Sequence, residues 1–214
     1  MDPTALKSRI AEAIVDFDMD HIEELTHEAL RAGIPAHDLV LDGLSVGMTI
    51  VGERYASREY FLPELVMCAE TMKLAMAVLE PHLASETGPK SAGKVLIGTV
   101  AGDLHDIGKN IVASMLQGAG FEVHDLGVDV PTASFIRHIR DTKPDIVGLS
   151  ALLLTTREAM ADVIRALHEA GIRQEVKVIV GGCPITPDFA EAIGADGFAA
   201  DALEAVQVAK ALLA

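Results

Sequence analysis

Apolar side chains recur at intervals of three and four over positions 1–84, which is the spacing of one helix face. The segments with this pattern are 4–17, 18–34, 35–56 and 61–83. The second begins with Asp18 and Asp20, whose carboxylates are suited to capping a helix N-terminus. Four helices with short connections predict a small four-helix bundle over 1–84.

The last of these helical segments carries an apolar stripe that includes two methionines. Its members are Leu65, Ala69, Met72, Met76 and Leu79. Because these positions share one face of a helix, we interpret them as bundle core rather than as a cofactor site.

A change of composition, followed by a change of period, marks a second domain. Residues 85–94, SETGPKSAGK, are small and polar and predict an interdomain linker. After them, the short apolar run 94–100, typical of a strand buried on both faces, begins a series of predicted strands that alternate with helical segments. The predicted strands are 94–100, 121–127, 144–152, 176–182 and 195–201. This alternation predicts an α/β domain over 95–214, a flavodoxin-like (Rossmann-type) five-stranded parallel sheet covered by helices.

Composition narrows the classes of partner. The formal net charge of −15 opposes binding to nucleic acid and to anionic membrane surfaces. There is no run of about 18 apolar residues and no basic flank before an apolar N-terminal stretch, so neither a membrane span nor a secretory signal is expected. The two cysteines, Cys68 and Cys183, lie far apart. We therefore expect a cytoplasmic protein with reduced thiols.

Three loop segments follow strands of the predicted sheet and are candidates for a ligand site. They are GDLHDIG at 102–108, SALLLTT at 150–156 and GGCP at 181–184. Ligands of open parallel sheets bind outside the carboxyl ends of the strands, where all three segments fall.

His105 is the first candidate within these loops. Asp103 lies two residues before it, and a carboxylate that accepts the second N–H of an imidazole fixes the tautomer of a metal-binding histidine. Gly102 and Gly108 would let a bulky group approach the backbone. The turn matches no dinucleotide-binding or Walker motif, and no second ligand stands at zinc spacing. A single histidine suits a metal that brings its own macrocycle, and a solvated loop histidine is the alternative.

The numbers of residues between motif positions in the three loops also indicate which ligand binds. The chain reads Asp103-x-His105-x-x-Gly108 in the first loop, Ser150-x-Leu152 in the second and Gly181-Gly182 in the third. This multipart pattern, with these intervals, resembles the cobalamin-binding fingerprint of corrinoid proteins that hold the cofactor with its dimethylbenzimidazole displaced. A flavodoxin-like or receiver domain without a corrinoid is an alternative interpretation, but under it the spacing of these motifs would be a coincidence.

The resemblance implies a cofactor and a role for each motif residue. The cofactor is cobalamin or a related corrinoid, bound base-off and cycling between methylcob(III)alamin and cob(I)alamin. His105 would be the lower cobalt ligand, Asp103 its hydrogen-bond partner, and Thr156 the hydroxyl that a serine supplies in methionine synthase. The cofactor-binding residues implied in this domain are Gly102, Asp103, Leu104, His105, Asp106, Gly108, Ser150, Leu152, Thr155, Thr156, Gly181 and Gly182.

The helical part resembles the cap domain of cobalamin-dependent methionine synthase and of small methyltransferase corrinoid proteins. The likeness rests on VGERYASREYFLPELV, residues 51–66. It implies that Tyr55 and Leu62 shield the upper face of the corrin, although family members often have phenylalanine at the position of Tyr55. Ordinary bundle-core packing is the alternative for both residues.

The family implies a corrinoid methyl carrier that is not catalytic alone. A substrate-specific corrinoid methyltransferase would load the methyl group, and a second methyltransferase would pass it to tetrahydrofolate, tetrahydromethanopterin or a thiol. A reductive activase would be a third partner. The alternative is a cobalamin-dependent sensory or regulatory module. Those relatives carry a DNA-binding domain, which we do not expect here, and a tryptophan in the cap, whereas this sequence contains no tryptophan. Carbon-skeleton mutase subunits share the histidine motif but generally lack the cap.

Overall fold

The computed structural model describes residues 2–83 and 91–214. Its contacts divide the chain into a helical unit, which holds the N-terminal helices together with Gln117–Gly120, and an α/β unit of Ser91–Leu116 and Phe121–Ala214. Most of the predicted linker, 85–94, lies outside the described residues, and its last residue, Lys94, begins the first strand. No helix within the two described ranges has the length and hydropathy needed to span a bilayer.

All four predicted helical segments of the first part are helical. The helices are α1 (Pro3–Val15), α2 (Ile22–Arg31), α3 (Ala36–Leu39), α4 (Ser45–Ala56) and α5 (Leu62–Leu83). A π-helical segment, Val40–Leu44, joins α3 to α4, so the third predicted helix runs with one widened turn in its middle.

The predicted cap of α2 is wrong. The residue that precedes α2 is His21, and no side chain caps the helix. Asp18 instead accepts a hydrogen bond from the His21 ring, with 2.8 Å between Oδ1 and Nδ1. The Asp18 carboxylate therefore hydrogen-bonds the His21 ring instead of the free backbone N–H groups at the start of α2.

The core of the helical unit is built around α1 and α5. On α5, the predicted stripe is buried at Leu65, Ala69, Met72 and Leu79 and half-buried at Met76. These side chains leave water on folding, which is the dominant favourable term in the stability of such a bundle. The interpretation of the stripe as bundle core is confirmed.

A close crossing of α1 and α4 explains one glycine of the bundle. The buried face of α1 carries Ile10 and Ile14. A Cβ added at Gly47 of α4 would lie 2.8 Å from the carbonyl oxygen of Ala11. Only a residue without a side chain lets the two backbones approach this closely.

The second part is a five-stranded parallel sheet, as predicted. Its strands are β1 (Lys94–Thr99), β2 (Glu122–Asp125), β3 (Ile146–Ser150), β4 (Lys177–Gly181) and β5 (Gly197–Ala199). The helices between and after them are α6 (Ile107–Gly118), α7 (Thr132–Thr142), α8 (Glu158–Glu169), α9 (Pro187–Ile193) and α10 (Ala202–Leu213). The strand order is β2-β1-β3-β4-β5, the flavodoxin-like order of a doubly wound sheet.

Strand register brings the candidate loops to one edge of this sheet. Thr99 pairs with Ser150, Ser150 with Gly181, and Gly181 with Ala199, so four strands end at the same level. The loops that follow β1, β3 and β4 therefore leave the sheet side by side. One face of the sheet below them packs against α7 and α8 around the fully buried Phe135.

Candidate functional site

Asp103 is the centre of the candidate site. Its side chain is fully buried in the turn that follows β1. Oδ1 lies 2.6 Å from His105 Nδ1 and also accepts a hydrogen bond from the His105 backbone N–H at 3.1 Å. Because an ionised carboxylate is only an acceptor, the Nδ1 atom carries the ring proton.

The second carboxylate oxygen of Asp103 ties this turn to the loop after β3. Oδ2 accepts hydrogen bonds from Thr156 Oγ1 at 2.6 Å, from Leu152 N at 2.7 Å and from Leu153 N at 3.3 Å. The hydroxyl of Thr156 thus occupies the position that the family resemblance assigns to a serine hydroxyl. One buried carboxylate holds together two loops that are distant in the sequence.

The His105 ring faces solvent on its other side. Its side chain is 49% exposed, although its Asp103 partner is fully buried. With Nδ1 donating to Asp103, the Nε2 atom keeps its lone pair and is the nitrogen available to a metal. The geometry matches the carboxylate–histidine arrangement that orients metal-binding imidazoles.

Burial and hydrogen bonding shift the pKa of Asp103 in opposite directions. Burial alone would raise the pKa of the carboxyl group, but the hydrogen bonds from Thr156, Leu152 and His105 outweigh it and hold the pKa well below its usual range. The carboxylate therefore stays ionised near neutral pH, and the proton of the pair remains on the imidazole.

A pH dependence of stability follows from this lowered pKa. A depressed pKa in the folded state contributes stability that is present above the unfolded value, about 3.9, and that is lost as the pH falls toward the folded value. We expect the free energy of unfolding of wild type to fall more steeply below about pH 4 than that of Asp103→Asn, which cannot ionise. Urea denaturation at several pH values measures both curves. Parallel curves through the acid range would contradict the assignment.

The two loops that Asp103 ties together expose several apolar side chains. The exposed apolar residues on the two tied loops are Leu104, Ile107, Leu152, Leu153 and Leu154. A Cβ added at Gly108 would meet no atom within 4 Å, so this position leaves room above the first turn of α6. Asp106 and Thr155 are also exposed there, and Asp106 accepts a hydrogen bond from Asn110 Nδ2 at 3.2 Å.

The donor set fits a metal that arrives with its own equatorial ligands. Within 2–83 and 91–214, no group of three or more His, Cys, Asp or Glu side chains is arranged to hold a metal ion. His105 therefore offers a single nitrogen, which suits a metal whose other ligands come from a macrocycle.

The strand ends explain the two glycines of the third loop. A Cβ added at Gly181 would lie 2.8 Å from Ala199 O, and one at Gly182 would lie 1.9 Å from Ala151 O. Gly182 also has a φ of +126°, which side-chain-bearing residues rarely adopt. Ser150, at the end of β3, is half-buried between them and β1. Close backbone packing thus accounts for both glycines, and their part in binding the cofactor stays a prediction.

The two residues predicted to shield the corrin, Tyr55 and Leu62, lie in the helical unit. Leu62 is the first residue of α5 and is 52% exposed, so bundle-core packing does not explain it. Tyr55, near the end of α4, is half-buried. The turn between the two helices is fixed by Tyr60, whose hydroxyl donates to Val15 O and accepts from Arg54, both at 2.8 Å.

Two contacts of the site were not anticipated from the sequence. The buried Thr99 donates its hydroxyl proton to His105 O at 2.9 Å, and Leu153 contributes a backbone N–H to Asp103. Thr99 is the last residue of an otherwise mostly apolar strand, and its polar side chain at that position was the only sequence signal for this contact. A backbone donor leaves no sequence signal.

Family models and similar proteins of known name agree on one family. A family model described as a B12 binding domain matches residues 93–207, and a second model with the same description matches residues 6–80. The trimethylamine corrinoid protein of Methanosarcina barkeri is 44% identical over 207 residues, which are 96% of this chain and 95% of that protein. A corrinoid protein of Desulfitobacterium hafniense is 40% identical over 211 residues, 98% of both chains.

Solved structures agree with the sequence comparison. The structure of the methanol:cobalamin methyltransferase complex of Methanosarcina barkeri superposes with a TM-score of 0.84 at 33% identity, covering 98% of this chain and 80% of that one. A cobalamin-binding protein of Desulfitobacterium hafniense superposes with a TM-score of 0.74 at 35% identity, covering 99% and 98%. This chain therefore belongs to the family of B12-binding corrinoid proteins.

Proposed function

We propose that this protein carries a methyl group on a corrinoid between two methyltransferases, with His105 as the lower axial ligand of cobalt and the cofactor's own base displaced. The observation that carries the proposal is the 2.6 Å contact between Asp103 Oδ1 and His105 Nδ1 on a half-exposed imidazole. When bound, the corrinoid supplies a cobalt centre that accepts a methyl group as a nucleophile and later releases it.

The residues of the site have distinct roles in this proposal. Asp103 keeps the Nδ1 proton on the ring, so that Nε2 presents its lone pair. Thr156 and Leu152 hold the carboxylate in place through Oδ2.

The partners are proposed by analogy with the relatives. One partner would be a substrate-specific corrinoid methyltransferase. Two relatives are named as trimethylamine and dimethylamine corrinoid proteins, and one structural neighbour comes from a methanol:cobalamin methyltransferase complex. The second would be an acceptor methyltransferase that uses tetrahydrofolate, tetrahydromethanopterin or a thiol. A reductive activase would return oxidised cobalt to the reduced state.

A reconstitution experiment tests the carrier role. The chain is loaded anaerobically with cobalamin, reduced, and mixed with methylamine or methanol, alone and with purified corrinoid methyltransferases for each donor. We expect methylation of the cofactor, followed by its absorption spectrum, only when a matching methyltransferase is present. Demethylation of a donor by the chain alone would contradict the carrier role.

Tyr55 gives a test of the proposed cap. We expect Tyr55→Ala to speed air oxidation of the reduced, corrinoid-loaded protein several-fold, because an apolar ring over a reactive centre excludes water and oxidant. Tyr55→Phe keeps the ring and should match wild type. The measurement is the rate of the absorption change after mixing with aerated buffer. Equal rates in the alanine variant and in wild type would remove Tyr55 from the cap.

A further inference from the structure

We infer that Asp129 is a positioning residue for the histidine ligand, an inference that rests on the proposed function of His105. Asp129 lies in the loop after β2, outside the three loops that the sequence motif joins. It holds the backbone immediately before His105 with two hydrogen bonds. Its carboxylate oxygen Oδ1 accepts from Gly102 N at 2.7 Å, and its own N–H donates to Asp103 O at 2.9 Å.

The backbone of Asp129 is in a conformation that few residues adopt. Its φ is +50°, in the left-handed region, where aspartate and asparagine are several-fold enriched among non-glycine residues. This conformation allows the main-chain N–H and the side chain to serve the same turn. Strain of this kind persists where the surrounding contacts fix it, and it clusters at ligand sites.

The loop that carries Asp129 is itself firmly held. On one side, Gly127 O accepts from Thr99 N, and Val130 N donates to Thr99 O, both at 3.0 Å. On the other side, Asp125 accepts a hydrogen bond from Gly127 N at 2.8 Å and forms an ion pair with the buried amine of Lys109. Asp129 is therefore held by a loop that is anchored to β1 and to α6.

The effect on the ligand passes through Asp103. The hydrogen bonds that Asp129 makes in this turn go to Gly102 and Asp103, so it acts on the imidazole indirectly. Fixing the Asp103 backbone fixes the direction of its carboxylate, which in turn holds His105 Nδ1 at 2.6 Å. A looser backbone would leave the imidazole free to turn away from a metal above it.

Three substitutions at one position separate the hydrogen bond from the backbone conformation. Asp129→Asn keeps an oxygen acceptor and tolerates the left-handed region, Asp129→Gly keeps only the conformation, and Asp129→Ala keeps neither. The control is Lys143→Ala, because Lys143 is a second non-glycine residue with a left-handed φ, +47°, at the end of α7.

The first readout uses the protein without cofactor. We expect amide hydrogen exchange at Gly102 to become about tenfold faster in the glycine and alanine variants, the effect of losing a hydrogen bond to a charged acceptor. The asparagine variant and the Lys143 control should stay close to wild type. Equal exchange rates at Gly102 in wild type and Asp129→Gly would overturn the inference.

The second readout uses the loaded protein. With nitrogen-15 histidine in the protein and unlabelled cobalamin, electron paramagnetic resonance of the cobalt(II) form distinguishes cobalt bound to a histidine nitrogen from cobalt bound to benzimidazole. We expect the histidine-bound fraction to fall in Asp129→Gly and to stay near the wild-type value in Asp129→Asn. A fraction that is high in wild type and unchanged in Asp129→Gly overturns the positioning role alone. A wild type with no histidine-bound cobalt overturns the proposed function instead. Because the glycine and asparagine variants fit the native φ, the comparison holds even if Asp129→Ala does not fold.

Discussion

Asp103→Ala is expected to lower the free energy of unfolding of the cofactor-free protein by about 3 kcal/mol or more. The substitution leaves Leu152 N, Leu153 N and His105 N without the acceptor they share in the folded protein. Each unpaired, desolvated donor costs about 1–3 kcal/mol. The loss also frees the loop after β3 from the turn after β1. Urea denaturation of both proteins at neutral pH measures the difference.

A second carboxylate in the α/β unit provides a matched control. Glu122 also stands two residues before a histidine, and its Oε1 lies 2.8 Å from His124 Nε2. The side chains of His124 and Glu122 are 43% and 44% exposed, so water screens this pair. We expect Glu122→Ala to change the free energy of unfolding by no more than about 0.5 kcal/mol. Similar losses for Asp103→Ala and Glu122→Ala would show that the buried network around Asp103 is not what stabilises these loops.

Gly182→Ala is expected to cost about 3–5 kcal/mol of stability and to disturb the ligand turn. The new methyl group would lie 1.9 Å from Ala151 O, inside the backbone at the end of β3. Relief requires the ends of β3 and β4 to separate, which breaks the hydrogen bond from Ala151 N to Gly181 O. The same movement displaces Leu152 N, a donor to Asp103.

Gly194→Ala separates steric overlap from backbone strain. Gly194, at the end of α9, has a φ of +79°, and a Cβ there would meet no atom within 4 Å. Its alanine variant should therefore cost only about 1 kcal/mol, the penalty of the left-handed conformation. Thermal and urea unfolding compare the two variants. A loss at Gly182 no larger than that at Gly194 would contradict the close contact between the strand ends.

The sheet was predictable because its three central strands, β1, β3 and β4, are mostly buried on both faces. Such strands are short, nearly continuous apolar runs, and the intervening helical periods leave parallel crossovers as the natural connection. Thr99, Ser150 and Gly181 end their strands at one level, so the motif loops had to emerge together. The contact between Asp103 and His105 follows from a carboxylate and an imidazole two residues apart in a tight turn.

Other features depend on contacts that a linear pattern does not record. The π-helical turn at Val40–Leu44 interrupts a sequence with uniform helical spacing. The exposure of Leu62 depends on how α5 begins, because an apolar residue at a helix start can face either core or solvent. Asp129 acts through backbone groups across a loop, and neither its spacing from His105 nor its residue type indicates this.

The most direct test of the account is the origin of the nitrogen on cobalt. Protein labelled with nitrogen-15 in histidine is loaded with unlabelled cobalamin, reduced to cobalt(II) and measured by electron paramagnetic resonance. We predict that the axial nitrogen splitting changes from the triplet of nitrogen-14 to the doublet of nitrogen-15, that His105→Ala abolishes the doublet, and that His124→Ala keeps it. A triplet that persists in the labelled wild-type protein would mean that benzimidazole holds the cobalt, and it would contradict His105 as the ligand.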